Sequence, residues 1–195
     1  AWLDRHHEVV NALNVFPVPD GDTGTNMLLT MKSACREMAD DPDQTVADAA
    51  KAAAHGALMG ARGNSGVILS QILRGMARSL AETSVLTGPA LAAALAEGSR
   101  IAYKGVNKPV EGTILTVVRE SSLAAEAAAQ ANEDLAFVLA ETVKAADRTV
   151  ANTPTDQKAW VKLMYRPGSR GCRSWTKGVA SPSTTPSPIP ASISP

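Results

Sequence analysis

With 195 residues, 45% apolar side chains and only 4% aromatics, the chain is long enough for one domain with a core, and its alanine-rich middle favours packed helices over sheets. No apolar run approaches the roughly 20 residues of a membrane helix, and no secretory signal is expected at Ala1, where a helix already reads as under way. All 19 acidic residues lie at or before Asp156, so residues 1–158 carry 14 basic and 19 acidic groups, a net of −5, which argues against a nucleic-acid partner.

Residues 2–13 fit a short helix, and residues 14–24 a loop. Residues 25–39 fit a helix, with Met27, Leu28, Met31, Ala34, Cys35 and Met38 near i, i+3, i+4, i+7 spacing. A turn around Pro42 follows, and Thr45 with Asp48 three residues on reads as the cap of a helix to Met59. Gly60–Gly66 breaks that helix, and residues 65–82 form the next, with Ile68, Leu69, Ile72, Leu73, Met76 and Leu80 on one face. Gly88-Pro89 opens a helix to about Tyr103; residues 105–112 are a loop; Thr113 starts a helix to about Ala131; Asn132 caps one to about Val150. Nothing alternates with strand period, so the chain reads as all-α, with antiparallel helices on short connections.

Beyond Lys158 there are five basic residues and no acid, and twelve of residues 181–195 are Pro, Ser or Thr. Such a segment buries too little apolar surface to offset its ordering entropy, so the tail is expected to be disordered. Cys35 and Cys172 are far apart and in no metal-binding spacing, which fits a reduced, cytoplasmic protein.

Three loops carry candidate chemistry. In the first, Asp20 and Asp22 flank Gly21 immediately before a helix. Two carboxylates this close suit magnesium, which takes oxygen ligands and keeps waters, and the free N–H groups from Thr23 to Asn26 suit phosphate. The competing reading is a turn and a helix cap. The second loop, residues 60–66, either brings backbone N–H groups to phosphate or simply breaks and caps, with Ser65 a cap in both readings. It is no Walker loop, since no Lys-Ser or Lys-Thr follows. The third, residues 105–115, reads equally as a helix connection capped by Thr113. His6, His7 and His55 have no sequence partners and read as surface or packing residues; no nucleophile arrangement is present.

Taken together, LNVFPVPDGDTGTNM at residues 13–27, GARGNSGVILSQILRG at 60–75 and KPVEGTILTVVRE at 108–120 resemble the nucleotide-binding domain of the dihydroxyacetone kinase L-subunit (DhaL-type) family, nearest to the N-terminal domain of bacterial fatty acid kinase. The resemblance spans residues 1–157 and implies an antiparallel eight-helix barrel binding ATP or ADP at one end through two Mg²⁺ ions; the departure after residue 157 falls on its last helix. It implies Asp20 and Asp22 as metal ligands, with Asn14 standing where the dihydroxyacetone branch has a third Asp. Thr23, Gly24, Thr25 and Asn26 would meet phosphates; Asn64, Ser65 and Gly66 would form a second phosphate or nucleotide wall; Gly105, Thr113 and Ile114 would lie near adenine or ribose. In this family the acceptor sits on a partner: a fatty-acid-binding protein, or a dihydroxyacetone-binding subunit. An inactive helical domain is the third reading.

The resemblance stops near residue 158. Read in another frame with GC-rich codons, residues 159–177 resemble the family's continuation, so residues 158–195 are expected to be an out-of-frame basic tail; a divergent native tail is the alternative.

Overall fold

The computed structural model describes residues 2–14, 20–38 and 44–164, with side chains up to 153. Every regular element among them is a helix: α1 (Trp2–Ala12), α2 (Thr23–Glu37), α3 (Val46–Met59), α4 (Gly63–Ser79), α5 (Gly88–Gly105), α6 (Ile114–Ala131) and α7 (Leu135–Met164). The all-α expectation therefore holds. The residues from 165 onward lie outside the described residues, and with them the Pro-, Ser- and Thr-rich segment and most of the stretch read as out of frame.

Several helix ends are where local chemistry puts them. Thr45 accepts the Asp48 N–H and so opens α3; Thr87 accepts the Ala90 N–H ahead of Pro89 in the first turn of α5; Thr113 accepts the Leu115 N–H and opens α6. Three boundaries differ from expectation. Asp134, not Asn132, caps α7, its carboxylate accepting the Phe137 N–H at 2.8 Å; Asn132 ends α6 and accepts the Asp134 N–H. Helix α4 begins at Gly63 with Arg62 as its unassisted cap, so Ser65 lies inside the first turn and caps nothing. Helix α7 runs on to Met164, past the expected end at Val150.

Packing is sequential, each helix from α1 to α6 lying against the next, with α2 also against α4. Register shows the alternation of direction. Glu37 of α2 reaches His55 of α3, while Ser33 lies at Gly60 just beyond its end. Along α5 and α6, Leu91 and Ala92 meet Ala125 and Ala128, while Ala102 meets Leu115 and Val118. Val138 of α7 joins the first of these clusters and is fully buried. Small residues set the spacing: a Cβ on Gly75 of α4 would lie 2.6 Å from the Glu97 carbonyl of α5, so the two backbones nearly touch there. Alternation puts the openings of α2, α4 and α6 and the ends of α1 and α5 at one end of the bundle, and the openings of α3, α5 and α7 at the other.

Candidate functional site

All three candidate loops belong to that first end. The first is entered from α1 and left through α2, and asparagines bridge its two sides. Asn11 accepts the Thr25 N–H at 3.0 Å and donates to the Thr25 hydroxyl at 2.9 Å. The Asn14 amide donates to the Asp20 carboxylate at 2.6 Å. Gly24 is what lets α1 come this close: a Cβ there would stand 2.1 Å from the His7 carbonyl oxygen, a backbone atom that cannot swing aside. Gly21, at φ +66°, turns the chain between the two carboxylates in a conformation glycine adopts without penalty. Residues 15–19 are outside the described residues.

Asp22 occupies the cap position of α2, yet its carboxylate makes no capping bond. Asn11, from a different helix, satisfies the Thr25 N–H, and the Asn26 N–H bonds the Asp22 carbonyl at 2.8 Å. Of the opening N–H groups, those of half-buried Thr23 and buried Gly24 are bonded by neither Asn11 nor Asp22, fewer than the four residues the sequence offered. Both Asp20 and Asp22 are exposed, and Asp22 is not consumed by its own helix, which removes one half of the turn-and-cap reading.

The second loop lies directly against the start of α2. Gly63, at φ +55°, faces Asn26, whose amide nitrogen would be 2.4 Å from a Cβ built there. Fully buried Thr30 ties the two segments, its hydroxyl donating to the Asn26 carbonyl at 2.8 Å and accepting the Arg62 N–H at 3.3 Å. Asn64 is exposed, Ser65 half-buried and Gly66 buried in the first turn of α4. Asn26 and the Gly63–Gly66 turn, far apart in sequence, therefore share one rim.

The third loop joins this end through α4. Gly105 packs on Gln71, while Val106 and Ile114 pack with Ile68 around the Ile72–Leu115 cluster. Thr113 donates to the Val110 carbonyl at 2.8 Å as well as capping α6. A polar group that the motifs did not flag sits beside it. Arg119 donates to Glu111 at 2.6 Å and to the Tyr103 hydroxyl at 3.0 Å; the buried Thr116 hydroxyl donates to the other Glu111 oxygen at 2.7 Å and accepts the Gly112 N–H at 2.9 Å. Burial acts to raise the Glu111 carboxyl, but the Arg119 and Thr116 hydrogen bonds outweigh it and hold the group below the usual glutamate value. Burial pushes the Tyr103 phenol up, against the pull of the Arg119 charge.

The donor set of the first loop is two carboxylates and an amide, all oxygen chemistry of the kind magnesium takes. Among the described residues no group of three or more His, Cys, Asp or Glu could hold a metal unaided. A cation there needs phosphate oxygens and water to fill its shell. Elsewhere, an open groove of about 330 Å³ between α6 and α7, lined by Glu120, Leu123, Arg148 and Asn152 among others, shares no residue with the three loops. No described helix is long and apolar enough to cross a membrane, and Cys35 is an exposed free thiol.

A family model, the DAK2 domain, matches residues 17–163. The chain is 43% identical to an uncharacterized protein of Staphylococcus haemolyticus, 44% to one of Staphylococcus saprophyticus and 43% to one of Staphylococcus aureus, each over 152 residues. The aligned stretch is 78% of this chain and 28% of each relative, so the chain spans little more than a quarter of those proteins. The chain belongs to the DAK2 domain family, a kinase-related family whose domains bind adenine nucleotides.

Proposed function

We propose that this DAK2-family chain is the nucleotide-holding part of a kinase, binding ATP or ADP with Mg²⁺ at the end of the bundle where α2, α4 and α6 open. The observation that carries the reading is the shared rim: Asn26 against Gly63, with Asp20 and Asp22 beside it and neither carboxylate used as a helix cap. Asp20 and Asp22 would hold the metal. Asn14, whose amide N–H bonds Asp20, would offer its amide oxygen to the same metal. The Thr23 and Gly24 N–H groups and the first turn of α4 at Asn64, Ser65 and Gly66 would face the phosphates. Gly105, Thr113 and Ile114 would border the nucleoside.

Phosphoryl transfer needs positioning and neutralisation of charge more than a protein nucleophile. Bound magnesium supplies the neutralising charge on the phosphate oxygens. The residues of the rim hold the triphosphate in one orientation, so that an acceptor oxygen can form a bond to the terminal phosphorus as the bridge to ADP breaks. The acceptor we propose is a fatty acid carboxylate held by a separate acyl-binding protein, giving an acyl phosphate; Asn14 in place of a third aspartate and the LNVFPVP stretch favour it over dihydroxyacetone. Residues 1–157 form the proposed nucleotide domain, in the cytoplasm, with residues 158–195 outside it.

Titration calorimetry of the chain with ADP and Mg²⁺ tests the core of this reading. Heat of binding that vanishes with chelator is expected; no heat and no thermal shift would overturn it. Supplying an acyl-carrying partner or a sugar-binding subunit then identifies the acceptor by which one gains phosphate from ATP.

A further inference from the structure

We infer that Arg119 is a positioning residue for the nucleoside half of the proposed ligand, acting through Glu111 to fix the third loop. The inference rests on the nucleotide reading above. If phosphates lie against the openings of α2 and α4, the turn from α5 into α6 is, among the described loops of that end, the one left to border the rest of a nucleotide. That turn, residues 106–113, lies between the two helices. Its conformation is set by side chains.

Arg119 lies on the second turn of α6 and bonds residues on both sides of the loop, Tyr103 in the last turns of α5 and Glu111 just ahead of Gly112. Thr116 closes the same circuit, joining the second Glu111 oxygen to the Gly112 N–H. Gly112 sits at φ +76°, so the chain reverses at the residue that this circuit grips. Both carboxylate oxygens of Glu111 are thereby engaged. It is not spare for a cation, and its part is to be held. Arg119 and Glu111 are each about two-fifths exposed, and an isolated pair so placed would contribute little. The difference here is connectivity: one guanidinium nitrogen serves two partners on opposite sides of a turn, and a third group, Thr116, links the pair to the backbone.

The test compares two probes on the whole chain: ADP with Mg²⁺, which would use every loop, and pyrophosphate with Mg²⁺, which would use only the α2 and α4 rim. In Arg119→Ala, ADP affinity is expected to fall roughly tenfold, on the scale of one charge-assisted hydrogen bond, while pyrophosphate affinity stays within about twofold. Arg119→Lys should recover part of the loss. Glu111→Gln, which keeps the shape of the side chain, should repeat the pattern and covers the case of an alanine variant that does not fold. Unchanged ADP affinity in both variants overturns the inference, as does an equal loss for both probes, which would mean general disruption. A parent chain that binds neither probe overturns the nucleotide reading itself and takes this inference with it.

Discussion

The two ends of the bundle open their helices differently. At the far end, α3, α5 and α7 each begin with a side chain of their own bonded to a first-turn N–H: Thr45, Thr87 and Asp134. At the near end, Asp22 and Arg62 make no such bond, and α2 borrows Asn11 from α1. Only α6 there is capped in the ordinary way, by Thr113. Sequence position alone does not distinguish these openings, because Asp is as good a cap as Thr. The lesson is that a carboxylate withheld from its own helix is more informative than its presence in a turn.

Substitutions at the two ends should therefore separate binding from stability. The largest effect expected is on ligand binding at the near end. Asp22→Asn, which removes charge but no capping bond, should weaken Mg²⁺-dependent ADP binding at least as much as loss of an outer-shell partner does, about tenfold to a hundredfold, and leave circular dichroism unchanged. Binding equal to the parent's would dissolve the contrast. Next comes Gly24→Ala, which forces α1 away from α2; a cost near the upper end of about 1–3 kcal/mol is expected for overpacking against backbone, read by urea unfolding. At the far end, Thr87→Ala should cost about 1 kcal/mol of stability with nucleotide affinity untouched.

The smallest effect is the response to acid. Glu111 is held below its ordinary value, burial opposing and Arg119 and Thr116 prevailing. A carboxyl so depressed contributes stability above its unfolded pKa and loses it as pH falls through the lower, folded one. Acid unfolding of Glu111→Gln should accordingly begin from a less stable state near neutrality and converge with the parent below the usual glutamate range.

Much of this was legible in the residue order. Apolar spacing gave α2 and α4, and Thr45 and Thr113 precede the helices they cap, because capping is local chemistry. What escaped depends on inter-helix register. Asn11 reads as one more polar residue on α1 until Thr25 is set against it. Tyr103, Glu111 and Arg119 become a group only when α5 and α6 fold back on each other. The α7 boundary was misplaced because Asn132 and Asp134 are both fair caps, and the choice fell to the one whose carboxylate reaches Phe137. The two phosphate-type loops could be named separately, but their common rim depends on α2 and α4 running parallel.

Thr30 has a consequence of its own. Its hydroxyl, shut away from water, holds the Asn26 carbonyl with one hand and the Arg62 amide with the other. The lips of the two turns cannot drift apart without breaking an interior bond. A visiting anion would meet a mould cast before it arrives, and little of its attraction would be spent on assembling the walls.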